Sequence, residues 1–363
     1  MRSTFGTAMM KRSSKILLLV GIAMGIAVGI ILVVFLWPNP IKPWEKDPVD
    51  SPKIEIVAFA DSVLPLDSAH LVVRLEALSS RYPEFFTPSR PDGDWREDLV
   101  PYLLDPEVQA LYADVVLTQK EKPALRNDVL EKTLQDGFNH YYAHMGGLDC
   151  TSCVPKNKRI FTYISRNEPD MVLMGVGDPV RIFIPLDRYL GPEHPVHARE
   201  QRYLIKRHEP ENAAVEVFKA LAESYHIPAL PSNPTLLDGM IREAKVILFI
   251  QAVLGEDAAK RALGYSKAEI DFMQENEQEI WGLFISERLL FNEGEELKRK
   301  VLWPAPFSKF GTPKDQEIPG KAGVWFGWQI LMKYWQENPT ISLQTILSNQ
   351  DANSIFQKSG YRP

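Results

Sequence analysis

Cysteine is almost absent: Cys150 and Cys153 are the only two among 363 residues. Histidine is sparse, with seven in all, and no two of them stand in an H-E-x-x-H run. That run sets two imidazoles on one helix face with Glu as general base, so a zincin-type metalloprotease lacks its usual ligand set here. There is no G-x-S-x-G, no P-loop and no G-x-G-x-x-G. The signatures of the nucleophile-elbow hydrolases and of common nucleotide-binding enzymes are therefore missing. Positive charge is short as well, with 41 Lys and Arg against 47 Asp and Glu, a net charge of −6. With no basic domain and no interleaving of aromatic and basic residues, nucleic acid is not an expected partner. The chain has no internal repeat.

What is present begins with MRSTFGTAMMKRSSK, which carries Arg2, Lys11, Arg12 and Lys15 and no acidic residue. Ile16 to Trp37 follows without a charge. At about 1.5 Å per residue this run reaches about 33 Å, enough to cross a bilayer. It ends FLWPNP, with no small-residue cleavage site, so an uncleaved signal anchor is expected over residues 16–37. The basic flank puts residues 1–15 in the cytoplasm and the rest outside. Localisation is thus expected at the inner membrane, single-pass, with a periplasmic C-terminal domain. Gly21, Gly25 and Gly29 recur every fourth residue, a stripe that permits close helix approach and a homo-oligomer.

Residues 38–52, PNPIKPWEKDPVDSP, read as a proline-rich, extended linker. An exported domain is expected over 53–350 and a C-terminal tail over 351–363. Lys53 to Ala60 alternates as a strand, and helices are expected from Ser68, Asp105 and Asn127, the last stopping at Gly146-Gly147. Three short apolar runs in 159–190 read as strands, and nearly everything after Pro210 as helix. The fold class is α+β, predominantly helical, with a small sheet followed by a helical lobe.

The stretch HYYAHMGGLDCTSC places His140 and His144 on one helix face ahead of a C-x-x-C pair, on paper a Cys2His2 zinc set. An oxidising exported compartment favours a local Cys150–Cys153 disulfide instead. A thioredoxin-like motif should open a helix after a strand, and VPKNKR after Cys153 is not a helix start. Unpaired cysteines are the remaining option. His194 and His197 sit in a proline-bearing loop, and His208 and His226 flank a helix. Glu216, Glu223 and Glu243 are read as solvated helix faces rather than catalytic carboxylates. The segment from Trp303 to Ile330 is locally unusual, with two proline-rich turns and Trp303, Trp325 and Trp328. It reads either as an ordered loop against a buried helix with small residues Gly320, Ala322, Gly323 and Gly327, or as a ligand- or partner-binding groove. In the second reading Phe307, Lys309, Lys314 and Trp325 are the contact candidates.

This segment, APFSKF…PGKAGVWFGWQI, resembles the gliding-motility lipoprotein GldB family of Bacteroidetes-type bacteria. LDRYLGPEHP, ALGYSKAEIDFMQENEQEIWGLFIS and ISLQTIL extend the resemblance from about Lys53 to Leu347. It implies an envelope protein needed for gliding and linked to type IX secretion, with a degenerate zincin-like fold. The metal-binding helix of such peptidases would correspond to AAVEVFKALAES. There Glu216 matches the glutamate, but Val215 and Lys219 stand where the two histidines should be. Two features depart from the family: no lipobox cysteine follows the apolar run, and the Cys150/Cys153 loop is not part of its pattern. The expected function is a membrane-anchored, non-catalytic contact protein without a cofactor, its partners being envelope proteins of a motility or secretion machinery. A hydrolase or metallopeptidase-like enzyme with an unorthodox site, and a periplasmic ligand-binding module, are the alternatives.

Overall fold

The computed structural model of the chain describes residues 42–65, 68–88, 90–145, 158–167, 173–175 and 180–363. The apolar run with Gly21, Gly25 and Gly29, and the loop with Cys150 and Cys153, lie outside the described residues. Pro43 to Pro363 forms one compact unit.

The unit opens with an extended segment that reaches β1 (Ile56–Ala58) and turns at once into α1 (Phe59–Val63). Helices α2 (Leu71–Ser79), α3 (Trp95–Leu104), α4 (Pro106–Glu121) and α5 (Asn127–His144) follow. Strands β2 (Lys158–Tyr163), β3 (Leu173–Gly175) and β4 (Val180–Pro185) complete a sheet of order β1-β2-β4-β3. β1, β2 and β4 are parallel, with Ile56 beside Ile160 and Ile160 beside Ile182, whereas β3 pairs antiparallel at the edge. Ile160, Phe161 and Thr162 are fully buried, as expected for a central parallel strand covered on both faces.

The helical lobe comprises α6 (Asn212–Leu221), α7 (Leu236–Leu254), α8 (Glu256–Leu263), α9 (Lys267–Glu275) and α10 (Glu277–Ser286). It continues with α11 (Glu295–Leu302), α12 (Ala322–Glu337), α13 (Leu343–Ser348) and α14 (Ala352–Ser359). α7 is its axis. Thr235 and Asp238 form a capping box at its start, and its apolar residues are buried almost all round. Each fully buried Leu or Ile there contributes about 1.5–3 kcal/mol. α12 lies against α7 at a glycine contact. A Cβ on Gly327 would collide with the backbone oxygen of Met240, and one on Gly323 would come 2.8 Å from Leu302. Thus Gly323 and Gly327 serve the helix packing that the small-residue pattern suggests.

Several boundaries differ from expectation. Only three residues of the run from Lys53 to Ala60 form a strand. Within the stretch after Pro210 that reads as nearly all helix, the chain breaks at Asn276, between α9 and α10, where the Asn276 side chain bonds back to the Phe272 carbonyl at 2.8 Å. The tail expected over 351–363 contains α14, capped by Asp351 and ended by Gly360 in the left-handed region, with Ile355 fully buried. The proline-rich stretch is not a free spacer either. From Trp44 to Ile56 it is strapped along α5. Glu131, Gln135 and Asn139, each four residues apart on one helix face, accept the backbone N–H groups of Ile56, Ile54 and Ser51 at 2.9–3.0 Å. Trp44 is buried beside Trp335, their ring centroids 6.4 Å apart.

Candidate functional cleft

The strap is held by the two histidines of the paper Cys2His2 set. His140 Nδ1 donates to the Lys46 carbonyl at 3.1 Å, and His144 Nε2 donates to the Trp44 carbonyl at 3.2 Å. His144 is 6% exposed, and burial, aided by nearby Lys46, lowers its pKa to about 4. Both histidines therefore hold the strap with a ring nitrogen that the Cys2His2 set would otherwise share out.

One concavity of the helical lobe lies between α6, the α8 end, α11 and the loop from Trp303 to Lys321. Two adjoining hollows, of about 180 and 410 Å³, meet at Lys219, Ala262, Pro304 and Lys321. Glu216 and Lys219 come from one face of α6, and their charged atoms are 3.6 Å apart. The Glu216 carboxylate, and then Glu223 and Glu243, more than offset desolvation and raise the Lys219 pKa. Glu243, on α7, also pairs with Arg242 at 2.6 Å. Lys321 closes the floor. Desolvation and the neighbouring Lys219 lower its amine to about 8. Its backbone is held at φ 62°, a left-handed conformation that L side chains adopt at a cost.

The loop that carries Lys321 is rigidly made. Ser308, fully buried, donates to the Pro319 carbonyl at 2.8 Å and accepts the Ala322 N–H at 3.0 Å, thereby satisfying the first turn of α12. Gly320 lies so close to Ala305 that a Cβ would strike its backbone, and its own carbonyl accepts Tyr265 Oη at 2.8 Å. Asp315 receives the N–H groups of Phe310, Gly311 and Thr312.

Of the contact candidates, Phe307 is 38% exposed and Lys309 is exposed. Trp303, 60% exposed, stands at the rim of the larger hollow. The side chain of Lys314 lies outside those described. Trp325 is a correction: it is 2% exposed and packs edge-on against Phe326, because its place on α12 faces the core. The one group among the described residues with metal-holding geometry lies outside the cleft, at His197, Glu200 and His208.

A family model described as gliding motility protein GldB matches residues 42–363. The chain belongs to this family. The GldB match begins two residues before the strapped segment, so it takes in the whole strap. GldB membership makes this a gliding-motility-related protein of the cell envelope. Neither the search of curated proteins nor that of solved structures found a match. No helix among the described residues is long and apolar enough to cross a membrane.

The sequence picked out Glu216 and Lys219 together on one helix and Glu243 on the next, but it gave no sign that they share a cleft with Lys321. Lys321 was missed because a lysine after Pro-Gly reads as a turn residue. The signal in hindsight is that a turn immediately before a buried helix must supply its cap and its entry angle.

Proposed function

We propose that this protein is a membrane-anchored, non-catalytic envelope component that works by gripping a segment of a partner in the cleft of its helical lobe, within the machinery of gliding and type IX secretion. The observation that carries this reading is the Glu216–Lys219 pair. On the resemblance to zincin-type peptidases, Lys219 stands at a metal-ligating histidine, and its ammonium lies 3.6 Å from the carboxylate that would act as base. A fixed ammonium neutralises that carboxylate and occupies the region a cation would need. Around it, a hollow with exposed Trp303 at its margin, and exposed Phe307 further along the same loop, offers what a contact surface needs: aromatic area to desolvate and charges to set register. The uncharged run from Ile16 to Trp37 behind a basic flank supports a single-pass inner-membrane anchor with the domain in the periplasm. Gly21, Gly25 and Gly29 suit self-association of that anchor.

The test is genetic and chemical together. A photo-crosslinking residue at Phe307 in the chromosomal copy should capture envelope proteins, and Glu216→Gln should leave gliding or secretion intact. Loss of function in Glu216→Gln at normal protein level would sink the non-catalytic reading. Protease added to intact spheroplasts should digest the domain while the anchor stays in the membrane. A soluble product lacking residues 16–37 would overturn the anchor.

A hydrolase is the second reading, favoured by one feature. Lys321 is a lysine held in the left-handed region with an amine near neutrality, and such strain and desolvation concentrate at reactive sites.

A further inference from the structure

His197 is 1% exposed, and neither of its ring nitrogens has a hydrogen-bond partner among the described residues. A buried imidazole left bare in this way costs about 1–3 kcal/mol. Its ring lies flat against that of His208, centroids 3.6 Å apart and planes 7° apart. His208 is equally buried, and its partners fix its tautomer. Nδ1 lies 2.7 Å from the Arg188 carbonyl, which can only accept, so Nδ1 carries the proton. In the neutral ring Nε2 is then a lone pair, and it faces Glu200 Oε1 at 3.0 Å. Two acceptors meet there with no proton between them. The nearby donor is Arg207: its Nε is 3.5 Å from His208 Nε2, while its Nη2 pairs with the other Glu200 oxygen at 2.9 Å. His194, whose ring centroid is 6.3 Å from that of His197, is directed to Asp114 at 3.3 Å and accepts the Val196 N–H.

We propose that His197, Glu200 and His208 form a binding site for a divalent transition metal of the zinc type, separate from the cleft. One ligand atom from each of the three lies within 4.8 Å of the others. Two imidazoles and a carboxylate are a common zinc donor set with a position left for water. The Nδ1–H to backbone-carbonyl bond of His208 is the support that metal-bound imidazoles usually have, since it orients the ring and points Nε2 at the ion. Metal entry converts the Glu200–His208 acceptor contact into two bonds to one cation and satisfies His197. Glu200 keeps Arg207 on its second oxygen. The stacked rings must fan apart, because an ion cannot lie in both of two parallel planes.

The full-length chain in detergent, stripped with EDTA, is titrated with Zn²⁺ and separately with Co²⁺. One equivalent should bind, with a visible Co²⁺ absorption band and a rise in melting temperature with free Zn²⁺. Glu200→Gln, at a part-exposed position that leaves the packing alone, should weaken Zn²⁺ binding at least about tenfold. His197→Phe should abolish it while preserving the stack on His208. Replacing Cys150 and Cys153 by Ser should leave the equivalent unchanged. No bound metal in the wild type, or a metal lost with the cysteines and kept in Glu200→Gln, would overturn the site.

Discussion

His144 donates a hydrogen bond from Nε2 to the backbone oxygen of Trp44 at 3.2 Å, tying the last turn of α5 to the first described residues of the domain. The bond is made by a neutral ring in a buried position, which fixes a pH dependence. The folded pKa is about 4 against 6.5 for the free group, and His226, half-buried beside Tyr141, is likewise lowered to about 4. Above about pH 6.5 both rings are neutral folded or unfolded, and the contacts are intact. As pH falls from there towards about 4, the unfolded chain takes up protons that the fold refuses, so stability declines. Each ring contributes up to about 1.4 kcal/mol per pH unit in that window. His144→Gln keeps a donor for Trp44 and removes one titration. Urea midpoints measured from pH 7 to 4 should fall less steeply in this variant; equal slopes would show that His144 does not titrate as argued.

Gly327→Ala should destabilise the domain by about 1–3 kcal/mol, since the new methyl meets the Met240 backbone and neither helix can give way alone. Thermal unfolding decides it. An unchanged melting temperature would mean that α7 and α12 can slide apart at no cost.

Ser308→Ala removes the acceptor for the Ala322 N–H and the donor to Pro319 in a fully buried place. The expected cost is about 1–3 kcal/mol, with faster exchange of the Ala322 amide. An amide that stays protected would assign the start of α12 to another acceptor.

How much of this could be read in advance depends on the range of the interaction. The three short strands within 158–190 and the small residues of α12 follow from local pattern and proved to be where the pattern puts them. The strap did not, because prolines read as spacer and its acceptors, Glu131, Gln135 and Asn139, lie some 80 residues away on a polar helix face. No periodicity links two such stretches. The same holds for His197 and His208, which a loop and two short turns bring ring to ring. The C-terminal helix is the opposite case: Asp351 and Gly360 are ordinary start and stop signals inside the stretch read as a tail.

Lys321 should be among the most reactive lysines of the protein. Competitive acetylation followed by mass spectrometry should give its amine a midpoint near 8, against about 10.4 for exposed lysines. A midpoint of 10 or above would show that the cleft is better hydrated than its lining indicates, and would weaken the enzymatic alternative with it.

Lys309→Glu combined with Phe307→Ser changes only exposed side chains, so the melting temperature should hold within about 1 kcal/mol equivalent. Crosslinking to envelope partners and gliding or secretion should both fall. If they persist, the loop is a structural brace and the grip lies elsewhere on the cleft.

The strap also determines how the domain responds to tension. A pull applied to the chain ahead of Pro43 does not reach the sheet directly. It falls first on Trp44 and Lys46, then on Val49, Ser51, Ile54 and Ile56 in turn, each held to α5 by its own bond. Bonds loaded one after another peel at low force, whereas the parallel strands of the sheet would resist together. Under such a load the strap is expected to yield before the sheet, because its bonds to the four-residue ladder of α5 are met one at a time.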